Sequence, residues 1–150
     1  WRIPASRMKK RREHTVPLST QVIAILKDAK ALTGDGELVF PAQGKPRKPM
    51  SENTVNTALR RMGFESDEMT AHGFRAMAST LLNESGKWHP DAIERALSHR
   101  DRDQIRAAYH RGAHWAERVD MAQWWSDHLD VLRKGADVIP FRPAGSPAKG

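Results

Sequence analysis

The sequence contains no cysteine among its 150 residues, which excludes disulfide bonds and thiolate metal sites. It also lacks any run that approaches ~18 consecutive apolar residues, the length that a membrane-spanning helix requires. Its first residues do not form the charged leader and apolar stretch of a signal peptide. We therefore expect a protein without membrane association that resides in the cytoplasm.

Acidic residues are scarce relative to basic ones. There are 18 Asp and Glu residues against 25 Lys and Arg residues, which gives a net charge of +7 and an isoelectric point near 10.1. This balance favours a polyanionic partner, nucleic acid first, over an acidic small substrate. The chain is long enough for one domain with a hydrophobic core and too short for two domains of ordinary size.

The residue patterns predict a mainly α-helical domain with a small antiparallel β-sheet at one edge. Two short extended runs flank the basic segment "SRMKKRRE", as in a hairpin, and "QGKPRKP" is predicted to be a loop. Helices are predicted to follow Ser19, Ser51, Thr70, Pro90 and Asp101, and to run from about His114 to Lys134. Their predicted inward-facing residues include Ile25, Leu32, Phe74, Trp115, Val119, Trp125, Leu129 and Leu132. We expect the domain to occupy residues 1–134 and a flexible tail to occupy residues 135–150.

The only tyrosine, Tyr109, lies in the segment "IRAAYHR". Ile105, Ala108 and Tyr109 follow helical spacing, so a place on a buried stripe would by itself explain the aromatic ring. On the helix after Thr70, His72 and Arg75 are three positions apart on a polar face, a spacing suited to gripping one phosphate. This pair alone is not specific to any function.

Three segments together carry more information than the pair. The segments "MKKRREHTVPLS", "TAHGFRAMASTLLNE" and "ERALSHRDRDQIRAAYHR" resemble the catalytic domain of tyrosine recombinases, specifically phage and prophage integrases, over about residues 1–134. The resemblance implies a set of catalytic residues in the family's chain order. These are Lys9, His72, Arg75, His99 and the nucleophile Tyr109.

Two positions depart from a simple match to that family. The family's hairpin lysine best matches Lys9, and Lys10 takes its place if the loop is shifted by one residue. The family's first arginine lies before the strand that starts here at Trp1, so it has no match. We therefore expect the chain to be truncated on its N-terminal side. Because the first catalytic arginine is missing, inactivity of the isolated fragment is an open alternative.

The implied chemistry suits these residue types. A phenol with a pKa of ~10 is a poor nucleophile until neighbouring basic or cationic groups stabilise its oxyanion. Arg75 can hold the non-bridging phosphate oxygens in a two-pronged hydrogen bond, and Lys9 can protonate the departing 5′-oxygen. The resemblance implies a 3′-phosphotyrosyl intermediate and strand rejoining without ATP, a metal ion or another cofactor.

The resemblance also implies partners and leaves alternatives. It implies double-stranded DNA at attachment sites, a homotetramer on that DNA, and DNA-bending accessory proteins, in the cytoplasm of a bacterial host at the nucleoid. A non-enzymatic DNA-binding module, or an inactive integrase fragment, would account equally for the charge and the helices. An enzyme that relaxes supercoils by the same chemistry, as type IB topoisomerases do, is a third alternative.

The seven histidines raise the question of a metal site. His110 and His114 share an i, i+4 spacing, but Gly112 interrupts the helix between them and no acidic residue completes a ligand set. The sequence therefore predicts no metal site.

Overall fold

A computed structural model describes residues 1–8, 11–98 and 114–135 of the chain. Within these ranges the protein is mainly helical and has two antiparallel sheets of two strands each, which confirms the predicted fold class. None of the helices in the described ranges is long and apolar enough to cross a membrane. The elements are β1 (Arg2–Ile3), a 3₁₀ helix (Ala5–Arg7), β2 (His14–Thr15), α1 (Thr20–Thr33), β3 (Pro41–Ala42), β4 (Lys45–Pro49), α2 (Thr54–Arg61), α3 (Ala71–Glu84), α4 (Pro90–Ala96) and α5 (Trp115–Lys134).

The first sheet is the hairpin that the sequence predicts. Strand β1 pairs with β2 in antiparallel register, and Ile3 lies opposite His14. Lys9 and Lys10 belong to the connection between these strands and lie outside the described residues. The hairpin therefore fixes the two ends of the connection that carries both lysines.

The second sheet corrects one prediction. The segment "QGKPRKP", predicted to be a loop, contains strand β4, which pairs with β3 and places Pro49 opposite Pro41. Gly44 makes the turn between the strands with a φ of +69°, a conformation that glycine adopts without a steric penalty. Prolines are tolerated here because each strand has a partner on one side only, so a missing N–H can face solvent.

Local capping residues explain where the helices begin. The Ser19 hydroxyl accepts a hydrogen bond from the Val22 N–H at 3.2 Å, and Thr70 caps α3 in the same way. Both starts agree with the sequence prediction. Helix α2 instead begins at Thr54, and not directly after Ser51. The Thr54 N–H donates to the Ser51 carbonyl, and this hydrogen bond closes a turn that precedes the helix.

A small apolar core joins α3, α4 and α5. Leu82, Ile93 and Met121 are 5%, 1% and 2% exposed, and they contact one another. Partly buried side chains surround this core: Trp88, Ala96, Leu97, Trp124 and Trp125. Trp88 and Trp124 meet edge to face with their ring centroids 6.0 Å apart. The predicted inward position of Trp125 is thus confirmed.

The predicted inward faces of α1, α3 and α5 are partly wrong. Ile25 and Leu32 of α1 are 59% and 89% exposed, and Phe74 of α3 is 44% exposed. On α5, Leu132 is 57% exposed, whereas Arg118 is buried. Trp115, Val119 and Leu129 are likewise exposed. Helical periodicity identifies residues that share a face, but the position of the neighbouring helices decides which face is covered.

Polar side chains, rather than apolar ones, join α1 to α5. The hydroxyls of Ser19 and Ser126 lie 2.7 Å apart, and the Thr20 N–H donates to the Gln123 side chain at 3.0 Å. The Gln21 side-chain amide donates to the carboxylates of Asp127 and Asp130 at 2.7 and 3.0 Å. We call this network the α1–α5 clamp.

We predict that Ile93→Ala lowers the free energy of unfolding by about 2–5 kcal/mol, because it leaves a cavity where α4 meets α3 and α5. Leu132→Ala is the matched control, since the same kind of truncation at an exposed position changes stability by only about 0.5 kcal/mol. Equilibrium urea unfolding followed by circular dichroism measures both values. Equal losses in the two variants would contradict this description of the core.

Candidate active site

Helix α3 presents the two predicted site residues that the structure describes. His72 is exposed and Arg75 is half-buried. Both lie on the first two turns of the helix, where residues three positions apart are neighbours on the surface. An imidazole and a guanidinium are thus available together to an oxyanion.

Helix α2 fixes the start of α3. The Ala71 N–H donates to the Asn56 side-chain oxygen at 2.8 Å, and the Arg60 guanidinium donates to the Met69 carbonyl. Gly73 contributes to this junction because a Cβ atom at its position would lie 2.9 Å from the sulfur of Met69. The orientation of the α3 start therefore depends on packing against α2.

Arg75 belongs to a group of basic side chains from four elements, His14, Arg75, Arg95 and Arg118, which we call the basic cluster. Burial is the largest cause of a lowered pKa at His14, and the charges of Arg118 and Arg75 lower it further. A hydrogen bond with the Ala96 backbone acts in the opposite direction. Because the lowered pKa lies below the usual 6.5, His14 is neutral at pH 7.

Arg118 is the most deeply buried member of the basic cluster, with 7% exposure. Its guanidinium donates to the Thr15 carbonyl of β2 and lies 5.4 Å from the centre of the Trp115 ring. Burial first, and then the charge of Arg95, lower the pKa of Arg118, but a guanidinium remains charged at neutral pH.

The charge of Arg118 is only partly compensated. Its Nε atom is buried without a hydrogen-bond partner. None of the ion pairs found within the described ranges joins Arg118 to a carboxylate. Because an uncompensated buried cation is costly, this cluster is electrostatically suited to receive an anion.

Some described residues that lie near the remaining candidates in the chain meet close to Arg75. The candidates that lie outside the described residues are Lys9, its substitute Lys10, His99 and Tyr109. His14, on the strand that follows the lysines, hydrogen-bonds with the backbone of Ala96, which shortly precedes His99 in the chain. Two of the chain regions that hold candidate residues therefore meet beside Arg75.

Non-glycine residues with a positive φ lie next to the same regions. In the described part of the chain they are Arg11, Ser98 and His114, with φ values of 49°, 54° and 61°. Arg11 follows the two lysines, Ser98 precedes His99, and His114 begins the described chain after Tyr109. Such conformations cost about 1–3 kcal/mol each and are frequent near functional sites.

Sequence reasoning missed His14 and Arg118. The signal for Arg118 was present, because Arg118, Met121 and Trp125 follow i, i+3, i+7 spacing on one face of α5. An arginine within an apolar stripe indicates a buried cation. No comparable signal identifies His14, whose environment depends on contacts between distant parts of the chain.

A second group of polar residues was also not foreseen. The structure places the Glu117 carboxylate 2.7 Å from His114 Nδ1, and the rings of His89 and His114 stack with their centroids 4.7 Å apart. Asp91 lies beside His89. Helical spacing relates His114 to His110 and to no acidic residue of a ligand set, whereas the fold brings the carboxylates of Asp91 and Glu117 to the two histidines.

Comparison with known proteins identifies the family. Residues 1–114 match the phage integrase family. The chain belongs to this family. The match includes α3 with His72 and Arg75, and it reaches through the segment that holds His99 and Tyr109.

Integrases of phages and prophages are among the similar proteins. The integrase of Enterobacteria phage P4 is 50% identical over 147 residues, which cover 89% of this chain and 34% of that protein. Prophage integrase IntA of Escherichia coli (strain K12) is 46% identical over 139 residues, 93% of this chain and 33% of that protein. This integrase-family chain therefore spans about a third of the length of these relatives. No solved structure matches it.

We predict that the His14 side chain titrates below pH 6.5 and that Arg118→Met raises its pKa, because a nearby positive charge is removed. Arg75→Met raises it by a smaller amount, since Arg75 is the weaker of the two influences. The free energy of unfolding decreases as the pH falls from about 6.5 through the lowered pKa of His14, because the unfolded chain binds the proton more readily than the folded chain does.

Nuclear magnetic resonance titration of the His14 ring measures this pKa. Arg133→Met is the control, because that side chain is 79% exposed and pairs with Asp130 on α5. An unchanged His14 midpoint in both the Arg118 and Arg75 variants would show that the basic cluster is not assembled as described.

Proposed function

We propose that this chain is the catalytic part of a site-specific DNA recombinase that cleaves and rejoins strands through a 3′-phosphotyrosyl intermediate on Tyr109. The observation that carries the proposal is that the half-buried Arg75 and the buried, incompletely compensated Arg118 both lie close enough to His14 for their charges to lower its pKa. Membership of the phage integrase family supports the same conclusion, as do relatives that are named integrases.

The proposed step exchanges one phosphate ester for another. The Tyr109 oxygen attacks the phosphorus, a bond from that oxygen to phosphorus forms, and the bond to the 5′-oxygen of the next nucleotide breaks. The phenolic proton passes to a neighbouring base, for which His72 and His99 are the candidates, and Lys9 donates a proton to the departing 5′-oxygen. Because the phosphoester is conserved, a free 5′-hydroxyl can reverse the reaction without ATP.

Arg75 is proposed to stabilise the charge that develops on the non-bridging oxygens. A guanidinium provides two parallel N–H donors that fit a phosphate group. Arg118 is too deeply buried to contact DNA directly and is already bonded to the Thr15 carbonyl. Its role is to keep β2 next to Arg75 and to add positive potential behind the scissile phosphate.

The proposal extends to domains and partners. Residues 1–134 form the catalytic domain and residues 135–150 a tail. The partner is double-stranded DNA at attachment sites, where four copies of the full protein assemble with DNA-bending accessory proteins. The setting is the cytoplasm of a bacterial host, at the nucleoid.

A DNA-binding module without catalysis is the second candidate function. All five residues of β4, "KPRKP", are exposed and three of them are basic. An exposed basic strand can contact phosphates without any chemistry at Tyr109. The two candidates differ in one observable, a covalent bond between protein and DNA.

We predict that Tyr109→Phe abolishes covalent attachment to DNA and leaves DNA affinity nearly unchanged, because the nucleophilic oxygen is removed and the ring is retained. Since the chain spans about a third of its relatives, the test uses both the 150-residue chain and a chimera in which it replaces the matching third of the phage P4 integrase. Each is mixed with nicked attachment-site DNA, and denaturing gels detect covalent adducts.

Unaltered phage P4 integrase is the positive control for the substrate, and mass spectrometry locates the modified residue. An adduct on Tyr109 of the chimera supports the recombinase function. An adduct that persists after Tyr109→Phe would refute the assignment of the nucleophile. DNA binding by the chimera without an adduct, while the control reacts, would favour the binding module.

We predict that Lys9→Ala slows cleavage by about 10²–10⁴-fold, because the leaving 5′-oxygen is no longer protonated. A substrate with sulfur in place of that bridging oxygen restores the rate, since a thiolate departs without a proton. Lys10→Ala is the matched control and retains the rate on both substrates. If Lys10→Ala shows the defect and the rescue instead, Lys10 is the general acid.

A further inference from the structure

The starts of α4 and α5 bring together polar side chains that the proposed DNA chemistry does not use. His89, Asp91 and His114 each offer one ligand atom, and these atoms all lie within 4.8 Å of one another. We propose that His89, Asp91 and His114 bind a divalent transition-metal ion such as zinc. This inference concerns metal binding alone, so it stands or falls independently of the function proposed for Tyr109.

Glu117 prepares His114 to act as a ligand. Its carboxylate lies 2.7 Å from His114 Nδ1, which favours a proton on Nδ1 and leaves the lone pair of Nε2 available. Metal-binding histidines are commonly oriented by a carboxylate behind the ring in this way. The other carboxylate oxygen accepts from the His89 backbone N–H at 2.6 Å. One acidic side chain therefore holds both histidine residues in place.

The Nδ1 lone pair of His89 is engaged in a hydrogen bond that a metal ion would have to replace. This Nδ1 atom accepts a 3.1 Å hydrogen bond from the Asp91 N–H, and the Asp91 carboxylate lies 4.0 Å from the same nitrogen. The side chains of His89 and Asp91 are 54% and 52% exposed, so both have room to turn. A metal ion bound between His89 Nδ1 and the Asp91 carboxylate replaces the hydrogen bond from the Asp91 N–H with two coordinate bonds.

The distances require only modest rearrangement. Zinc bonds of about 2.0–2.2 Å place tetrahedral ligand atoms about 3.3 Å apart, so atoms that now lie up to 4.8 Å apart must close in by up to about 1.5 Å. The rings of His89 and His114 stack 24° from parallel, so the exposed His89 ring must rotate before nitrogens of both rings can point at one ion. The site is thus close to, but not yet in, coordination geometry.

The ligand types define the class of metal. Imidazole nitrogens suit zinc, nickel and copper, whereas magnesium and calcium prefer oxygen ligands only. The negative charges of Asp91 and Glu117 balance a divalent cation when both imidazoles are neutral. Three protein ligands leave one position for water in a tetrahedral shell.

A metal ion bound at this position would hold parts of the backbone in place. His114 adopts a φ of +61°, which non-glycine residues rarely do, and a metal bond would help to hold it there. Along the chain, His99 and Tyr109 both lie between His89 and His114. A bound metal therefore fastens together the two ends of the segment that carries them.

The test is isothermal titration of the untagged 150-residue chain with zinc chloride at about pH 7.5, where free imidazoles are neutral. We expect one zinc ion per chain, with binding weakened about 100-fold or more by His89→Ala or His114→Asn. Glu117→Gln, which keeps the ligands and removes their orienting charge, weakens binding about 10–100-fold. His128→Gln is the matched control and retains the parental affinity.

Cobalt(II) in place of zinc adds a spectroscopic readout, because tetrahedral nitrogen and oxygen coordination gives characteristic visible absorption. Asparagine at position 114 tolerates a positive φ, and Asp91→Asn preserves side-chain shape, so these variants retain the fold by circular dichroism. No zinc binding by the parent chain would overturn the proposal. Equal zinc affinity in the parent, His89→Ala and His114→Asn chains, or a preference for magnesium, would overturn it as well.

Discussion

The contact on which the described structure most depends is the hydrogen bond from the buried Arg118 guanidinium to the Thr15 carbonyl. Burying a cation costs several kcal/mol unless polar partners compensate for the lost water. The carbonyl does so in part, and the face of the Trp115 ring contributes roughly 0.5–2 kcal/mol more. The contact therefore sets the position of the first hairpin against the last helix, and it surrounds the neutral His14 with positive charge.

This arrangement gives a physical reason why a phosphodiester suits the site. Arg118 carries a buried positive charge, and its Nε has no hydrogen-bond partner. A negative charge that approaches the site therefore lowers the electrostatic cost of burying this guanidinium. Arg75 is half-buried and has access to such an anion, whereas Arg118 is almost fully buried. In the proposed mechanism Arg75 contacts the phosphate and Arg118 adds positive potential behind it, a division that the family's sequence pattern alone does not reveal.

Local features of the sequence predicted helix starts such as those of α1 and α3. Contacts between distant parts of the chain could not be predicted in this way. Ser19 and Thr70 mark helix starts because a cap needs only its own next three residues. The exposure of Leu32 was not predictable, because it depends on where neighbouring elements lie and not on the spacing of residues within α1. Likewise, the spacing of His72 and Arg75 predicted their shared face, while the approach of Arg75 and Arg118 to His14 required the tertiary structure.

The α1–α5 clamp has a consequence for how the protein is made. Its hydrogen bonds join residues separated by 102 to 109 positions, such as Thr20 with Gln123 and Gln21 with Asp130. At synthesis rates of about 5–20 residues per second, the partners of α1 leave the ribosome roughly 5–20 s after α1 itself. During that interval the exposed apolar residues Ile25 and Leu32 are present on a helix with no fixed position. Because Ile25 and Leu32 remain exposed in the complete fold, the emergence of α5 fixes the position of α1 without covering these two side chains.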